Sequence, residues 1–345
     1  MSQRERKPWR RCFGAAVRLL PILAVLQGCG DGVTETPSET DAAEQTSPSE
    51  QHATAELELG GVQSAAVPDD PALDNVARGL LGQAEMAMSQ GRPDAVGALL
   101  KPVLARGTVP SRVRFVAGWA AYQLLRYEDS VTLMGQALAQ DPGLLKDSRV
   151  LAFGHHKLGQ FEAASQLFED ITEVAPQEYR AWYGWGLAEL SLGHYESAEQ
   201  HLERALADHP DYIKARYTLG RLYEEQGHAE QALPHVMFVL KQEPSHVEAL
   251  YLLSRVQSAL GFKDEAEVTV TRWRVAYEVR ERLGPMQQLI IEGLATPAVF
   301  LGMAEQYALL NDHAQQGKSL RDGLRRFPGD SGLTAALVAL AAAER

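Results

Sequence analysis

Apolar residues recur three or four positions apart along most of the chain, which is the spacing of an amphipathic helix. In the block 182–210, one such stretch covers 182–192 and a second covers 195–207. Gly193 lies between them and Pro210 follows the second. Because glycine ends a helix readily and proline cannot continue one, the pattern predicts two helices joined by a tight turn.

The same helix pair recurs every 34 residues on both sides of this block. A helix pair of this size cannot bury its own apolar faces, whereas a stack of such pairs can, so the sequence predicts an all-α solenoid. Three residue types keep the period: Gly159, Gly193, Gly227 and Gly261; Ala164, Ala198, Ala232 and Ala266; and Pro142, Pro176, Pro210 and Pro244.

The period places seven units of two helices each along the chain. The first unit is degenerate, since Gly91 keeps the turn but Val96 replaces the small residue, and we expect it to cap the array. The predicted units are 77–110, 111–144, 145–178, 179–212, 213–246, 247–280 and 297–330.

The period is interrupted after the sixth unit. Its second helix is expected to run over 265–283 and to stop at Gly284 and Pro285, which leaves an insertion at 281–296. We interpret the apolar residues of that insertion as local packing rather than as a partner site. The last residues, 331–345, are expected to hold a final capping helix.

Small residues recur where the two helices of a unit are expected to approach closely, and a larger side chain there would overpack the contact. They are Gly118, Ala152, Gly186, Gly220 and Ser254 in the first helices, and Ser130, Ala164, Ala198, Ala232 and Ala266 in the second.

These residues resemble the tetratricopeptide repeat family. The run 219–223, Leu-Gly-Arg-Leu-Tyr, is similar to the core of that family's first helix, and Ala164, Phe168 and Pro176 are similar to its second helix and terminator. The resemblance covers most of 77–330. It implies a right-handed superhelix with a concave wall of first helices that binds a peptide or protein.

The N-terminus has the layout of a secretory signal peptide over 1–28, with a basic head followed by a short apolar core. Leu26-Gln27-Gly28-Cys29 resembles the bacterial lipobox, which implies cleavage before Cys29 and acylation of its thiol. The alternative is an ordinary signal peptide cut near a chance cysteine. Arg10-Arg11 also resembles part of the twin-arginine export motif, although the neighbouring residues favour the general export route.

Residues 29–70 are rich in Ser, Thr, Pro and acidic residues, and no Lys or Arg occurs between Arg18 and Arg78. Such a composition cannot bury enough apolar surface to offset the loss of chain entropy, so we expect a disordered acidic tether before the solenoid at 71–345. The predicted location is the cell envelope, with the protein lipid-anchored and facing the periplasm or the exterior. Gly30 directly after Cys29 favours the outer membrane.

Nothing in the sequence indicates catalysis, a cofactor or a metal site. The ten histidines are scattered, and no pair has the i, i+4 spacing of a helical metal site. The net charge of −12 disfavours binding of nucleic acid and of anionic lipid headgroups over most of the surface. The chain is therefore predicted not to be an enzyme.

The candidate binding surface is the wall formed by positions 2, 5, 9, 12 and 13 of each first helix, as the family resemblance implies. In units 111–280 these positions hold eight basic residues against Glu224, Glu225 and Glu248, the reverse of the balance in the whole chain. The predicted wall residues are Arg112, Phe115, Trp119, Lys146, Arg149, Phe153, Lys157, Arg180, Tyr183, Lys214, Tyr217, Arg221, Tyr251 and Arg255, with Tyr122 also at one of these positions.

The reversed charge predicts a groove for an acidic or carboxylate-ended peptide, gripped by arginine forks and contacted by aromatic rings. Two alternatives stay open: the tyrosines and arginines only cover the core, or the chain's own acidic tether occupies the groove. The leading function is a non-enzymatic, lipid-anchored scaffold for protein–protein interaction. The alternatives are an envelope assembly factor for outer-membrane proteins or pili, and a docking accessory of an envelope enzyme.

Overall fold

The structure is a computed structural model that describes residues 73–291 and 293–343. The signal peptide, Cys29 and the acidic tether lie outside the described residues. Within the described part the chain forms helices joined by short turns, and it contains no strand.

The helices follow one another as pairs of similar length. Their bounds are α1 (Asn75–Ser89), α2 (Pro93–Leu104), α3 (Ser111–Gln123), α4 (Tyr127–Gln140), a 3-10 helix (Pro142–Asp147), α5 (Arg149–Lys157), α6 (Phe161–Val174), α7 (Tyr179–Ser191), α8 (Tyr195–Asp208), α9 (Ile213–Glu225), α10 (Ala229–Gln242), α11 (Val247–Ala259), α12 (Lys263–Ile291), α13 (Pro297–Leu309), α14 (His313–Arg326) and α15 (Ser331–Ala343).

Each odd-numbered helix up to α13 packs against the even-numbered helix that follows it, and each even-numbered helix packs against the first helix of the next pair. From α1 to α11, the first helices of successive pairs also contact one another. The described residues thus form seven stacked helix pairs followed by the single helix α15. The predicted all-α fold of about seven helix pairs with a C-terminal helix is confirmed.

The turn inside each pair uses one backbone conformation at the same position of the unit. Five turns place a glycine there with positive φ, for example Gly193 at 79°. The other two place Leu125 at 60° and Asn311 at 54°. Since the left-handed region is costly for a side chain with a Cβ atom, the backbone at Leu125 is strained.

The small residues lie where the two helices of a pair touch, as the sequence predicts. A Cβ atom added to Gly186 would lie 2.7 Å from Cγ of Leu202, and one added to Gly220 would lie 2.8 Å from Cγ2 of Val236. These contacts hold the two helices of a pair close together, so that the core continues from one pair to the next.

The predicted stop at Gly284 and Pro285 is wrong. Helix α12 passes through both residues and ends at Ile291, so part of the predicted insertion is helical. Val279 and Leu283 are buried on this helix together with Met303 of α13, and Met286 and Ile290 pack against the same cluster. These apolar contacts compensate for the backbone hydrogen bond that Pro285 cannot donate.

The core consists of one large cluster and two smaller ones. The large cluster extends from Leu73 to Ala276. A second cluster joins Phe300, Leu320, Leu333 and Leu340 of the last three helices. The third is the α12–α13 cluster around Met303, which lies between them along the chain.

Candidate functional site: the first-helix wall

The first-helix wall is the surface made by the predicted wall positions of α3, α5, α7, α9 and α11, together with Lys146 in the 3-10 helix. These helices contact their neighbours directly, so their outward residues form one continuous surface. Its chemistry depends on which side chains reach solvent and on which charges are already paired within the chain.

Most of the predicted aromatic residues are core residues rather than contact surface. Phe115 and Phe153 are each 1% exposed, and the Phe153 ring packs edge-on against Phe168 with a centroid distance of 5.0 Å. Trp119 is 9% and Tyr183 6% exposed.

Tyr217 and Tyr251 are the half-buried rings of the wall. Tyr217 stacks on His246 at a centroid distance of 5.3 Å, and Tyr251 contacts Trp273 at 5.5 Å. Held in this way, the two rings can give a partner apolar contact at a small cost in side-chain entropy.

Two of the predicted arginines are buried beside carboxylates of their own chain. Arg112 Nε lies 3.2 Å from Glu85 Oε1, and its Nη1 lies 3.9 Å from Asp147 Oδ2. Arg149 Nη1 lies 3.3 Å from Glu178 Oε2. The Arg112 ion pairs join neighbouring units, and the Arg149 ion pair joins α5 to Glu178, the residue directly before α7. Both arginines therefore help to hold successive helix pairs together.

Two further arginines pair with carboxylates at the other end of the wall. Arg255 Nε lies 2.9 Å from Glu224 Oε1, and Arg221 Nε lies 3.4 Å from Glu225 Oε1. Both arginines are partly exposed, so their ion pairs are open to exchange with a partner's carboxylates.

The remaining predicted cations differ from these arginines in their exposure and in their contacts. Lys146 and Lys157 are exposed, while Arg180 and Lys214 are half-buried. The Arg180 guanidinium carbon lies 4.8 Å from the centroid of the Tyr179 ring. Within the described residues, no carboxylate lies within ion-pair distance of Lys146, Lys157 or Arg180.

The sequence analysis missed the acidic partners on this surface. Glu85, Asp147 and Glu178 raise the number of acidic residues on or beside the wall from three to six, against the same eight basic residues. Glu85 lies at position 9 of the first unit, which the count over 111–280 left out, whereas Asp147 and Glu178 lie at unit positions outside the five. Contacts between successive helix pairs bring all three to the arginines, and the periodic pattern does not specify those contacts.

A second group of polar contacts lies at the junctions between units and recurs with the period. Ser165 Oγ donates to Glu189 Oε1 at 2.5 Å and accepts from Trp185 Nε1 at 3.0 Å. One unit later, the Tyr223 hydroxyl donates to Glu199. Burial, together with this hydrogen bond, raises the pKa of Tyr223.

Two histidines one period apart are partly buried near these junctions. His201 stacks on Trp185 with a centroid distance of 3.8 Å, and His235 lies beside Tyr223 at 5.6 Å. Burial lowers the pKa of both imidazoles, and Arg216 lowers that of His235 further. Their packing indicates a role in the core.

The described residues contain no group of three or more His, Cys, Asp or Glu side chains that could hold a metal ion. In the same part of the chain, every helix is too short or too polar to cross a bilayer.

Comparison with known proteins identifies the repeats in the middle of the chain. One tetratricopeptide-repeat family model matches residues 189–237, and a second matches residues 217–272. These residues therefore contain tetratricopeptide repeats. No curated protein matches the chain.

Among solved structures, the chain is similar to a MamA fragment from Desulfovibrio magneticus RS-1 that begins at residue 41. That structure is 22% identical, with a TM-score of 0.46, over 50% of this chain and 98% of the other. Another MamA structure is 19% identical, with a TM-score of 0.44, over 48% of this chain and 96% of the other. Similarity at this level does not extend to function.

Proposed function

We propose that the protein is a non-enzymatic scaffold that binds a protein or peptide partner along the first-helix wall. The observation that carries the proposal is the continuity of this wall, on which half-buried tyrosines stand beside Lys146, Lys157 and Arg180, cations with no carboxylate within ion-pair distance among the described residues. Rigid aromatic rings beside charged groups are typical of surfaces that bind proteins. The tetratricopeptide repeats within residues 189–272 support the same function.

We propose further that the mature chain is held at the cell envelope by acyl chains on Cys29. The support is the order of basic head, apolar core and lipobox-like tetrapeptide in the sequence. Several acyl chains on one terminus bind a membrane stably, at about 0.8 kcal/mol per buried methylene. Acidic residues 29–70 would then hold the repeats away from the lipid surface.

Site-specific photo-crosslinking in the native cell tests the wall as the binding surface. A benzoylphenylalanine residue replaces Tyr217 or Tyr251 on the wall, and in control proteins it replaces Glu203 of α8 or Glu196 at the start of the same helix. We expect the same partner to be captured from both wall positions and from neither control position. Equal capture from wall and control positions would contradict the assignment.

Deletion of residues 31–66 tests whether the chain's own acidic segment occupies the wall. If that segment competes with the partner, its deletion raises the crosslinking yield from Tyr251. An unchanged yield would exclude self-occlusion.

A further inference from the structure

The cations at position 2 form a row along one edge of the first-helix wall. They lie 34 residues apart at or near the N-terminal ends of four successive first helices. Arg112, Arg180 and Lys214 are each the second residue of their helix, and Lys146 is in the 3-10 helix before α5. We define these four residues as the N-terminal edge row.

This placement runs against the local electrostatic preference. The N-terminus of a helix carries a partial positive charge, so a cation in the first turn is unfavourable and an acidic residue is favoured. Three of the four units of the row nevertheless place a cation at the second residue of the first helix. The helix ends and the side chains thus add their positive potentials along the same edge.

The members of the row differ in the contacts that they make within the chain. Arg112 is buried between Glu85 and Asp147 and serves the stacking of the units. Lys146 is exposed. Glu178, the carboxylate nearest to Arg180 along the chain, is engaged by Arg149 and by the backbone N–H of Arg180 itself.

Arg180 is the member of the row whose side chain lies against an aromatic ring of its own helix. Its guanidinium lies over the Tyr179 ring, and its buried Nε has no hydrogen-bond partner within the described residues. The Tyr179 ring is itself fixed by Tyr212 and His209, at centroid distances of 5.1 and 4.5 Å. A planar guanidinium held in this way loses little entropy when it binds a carboxylate with two hydrogen bonds.

The spacing of the row sets the spacing of its ligands. Neighbouring packed helices lie about 8–10 Å apart, and an extended peptide rises about 3.3 Å per residue. One step along the row therefore corresponds to about three residues of an extended partner, so carboxylates at every third residue would meet successive cations.

On the premise of the proposed function, we propose that the partner is an extended segment with acidic residues at every third position. It runs along the N-terminal edge row, where Arg180 binds one of its carboxylates and Lys146 binds the next one toward α5. The residues between the acidic ones face the half-buried tyrosines of the wall. Arg112 and Arg149 are not part of this recognition, because their charges are engaged within the array.

Two fluorescein-labelled synthetic dodecapeptides of identical composition test the proposal with the full-length protein. One carries four glutamates at every third residue, and the other carries the four glutamates in one block. We expect the spaced peptide to bind at least about fivefold more tightly by fluorescence anisotropy, since only the spaced carboxylates meet separate cations.

Arg180→Gln is expected to weaken binding of the spaced peptide by about tenfold or more. Arg126→Gln, which removes an exposed arginine from the turn before α4, is the matched control and is expected to change binding by less than about twofold. Circular dichroism of both variants checks that the array is intact.

Equal binding of the two peptides, or an equal effect of the two substitutions, would overturn this inference. Crosslinking from Tyr251 separates the outcomes: a partner captured from the wall despite equal peptide binding leaves the proposed function intact. If wall and control positions capture equally, the proposed function fails as well.

Discussion

At the scale of single residues, the fold depends on places where two atoms come close or where the backbone takes an unusual conformation. Gly184 of α7 lies against the ring of Phe168, and an added Cβ atom would overlap three atoms of that ring. Gly97 of α2 has no atom within 4 Å of the same added Cβ. Replacing glycine by alanine should therefore lower the free energy of unfolding at Gly184 and raise it at Gly97.

Gly184→Ala is expected to reduce the free energy of unfolding by about 1–3 kcal/mol, because Phe168 is fully buried and cannot move aside without cost. Gly97→Ala is expected to raise it by about 0.5–1 kcal/mol, because alanine restricts the unfolded chain and fits a helix. Urea unfolding followed by circular dichroism measures both. A destabilised Gly97→Ala protein would contradict the open space around Gly97.

The turn residue Leu125 gives a second prediction. Its φ of 60° is the conformation that glycine adopts in five other turns of the array. Leu125→Gly should raise the unfolding free energy by about 1 kcal/mol by removing the left-handed strain. Gly159→Ala, the reverse change in the next turn, should lower it. Thermal unfolding measures the stability of both variants. If both variants are less stable than the unchanged protein, the Leu125 side chain contributes more to stability than its backbone strain costs.

The buried histidines predict how stability depends on pH. Because the folded-state pKa of His201 and His235 lies below the ordinary value of 6.5, the unfolded chain binds more protons at acidic pH. Their contribution to stability is therefore complete above pH 6.5 and is lost as the pH falls below it. His201→Phe keeps a ring against Trp185 and should make the loss between pH 6.5 and 5 smaller in urea titrations. If the unfolding free energy of His201→Phe falls with pH as steeply as that of the unchanged protein, His201 does not contribute to this pH dependence.

At the scale of helices, α12 shows how contacts between elements decide where a helix ends. A Gly-Pro pair is expected to stop a helix, but α12 continues because residues on both sides of Pro285 pack against α13. The extension also marks the place where the large core cluster ends and the α12–α13 cluster begins.

Pro285→Ala is expected to stabilise α12 by about 1–3 kcal/mol, because alanine restores the missing N–H donor within a continuous helix. Hydrogen exchange of the amides over 281–291 measures the effect locally. Glu281→Ala, an exposed change on the same helix, is the control for helix propensity alone. No added protection in Pro285→Ala would indicate that the helix is broken at Gly284.

At the scale of the whole molecule, the stacked pairs turn a local pattern into a long surface. The ion pairs of Arg112 and Arg149 link successive first helices and neutralise two of the positive charges that the sequence places on this surface. What remains is an edge with Lys146 and Arg180, which have no carboxylate within ion-pair distance among the described residues, and a strip with two half-buried tyrosines. The proposed partner is inferred from these exposed and half-buried residues rather than from the total charge of the surface.

The proposed anchor belongs to the same scale, because it decides where this surface is presented. Cys29→Ala is expected to prevent acylation, so that the protein leaves the membrane fraction and no longer incorporates labelled palmitate. Cys12→Ala, within the segment predicted to be removed, is the matched control and should leave both readouts unchanged. Retention of Cys29→Ala in the membrane fraction would contradict a lipid anchor on this residue.

The sequence by itself determined the helix pairs, their 34-residue period, the turns and the small residues at the helix contacts. Each of these depends on residues that are close along the chain or repeat at a fixed interval, so the pattern carries the information. The tertiary structure alone decided that Phe115 and Phe153 are core residues and that α12 continues past Pro285. It also decided that Glu85 and Glu178 neutralise arginines of the wall. Burial and ion pairing depend on which residues of different helices meet in space, and periodicity along one chain does not specify those contacts.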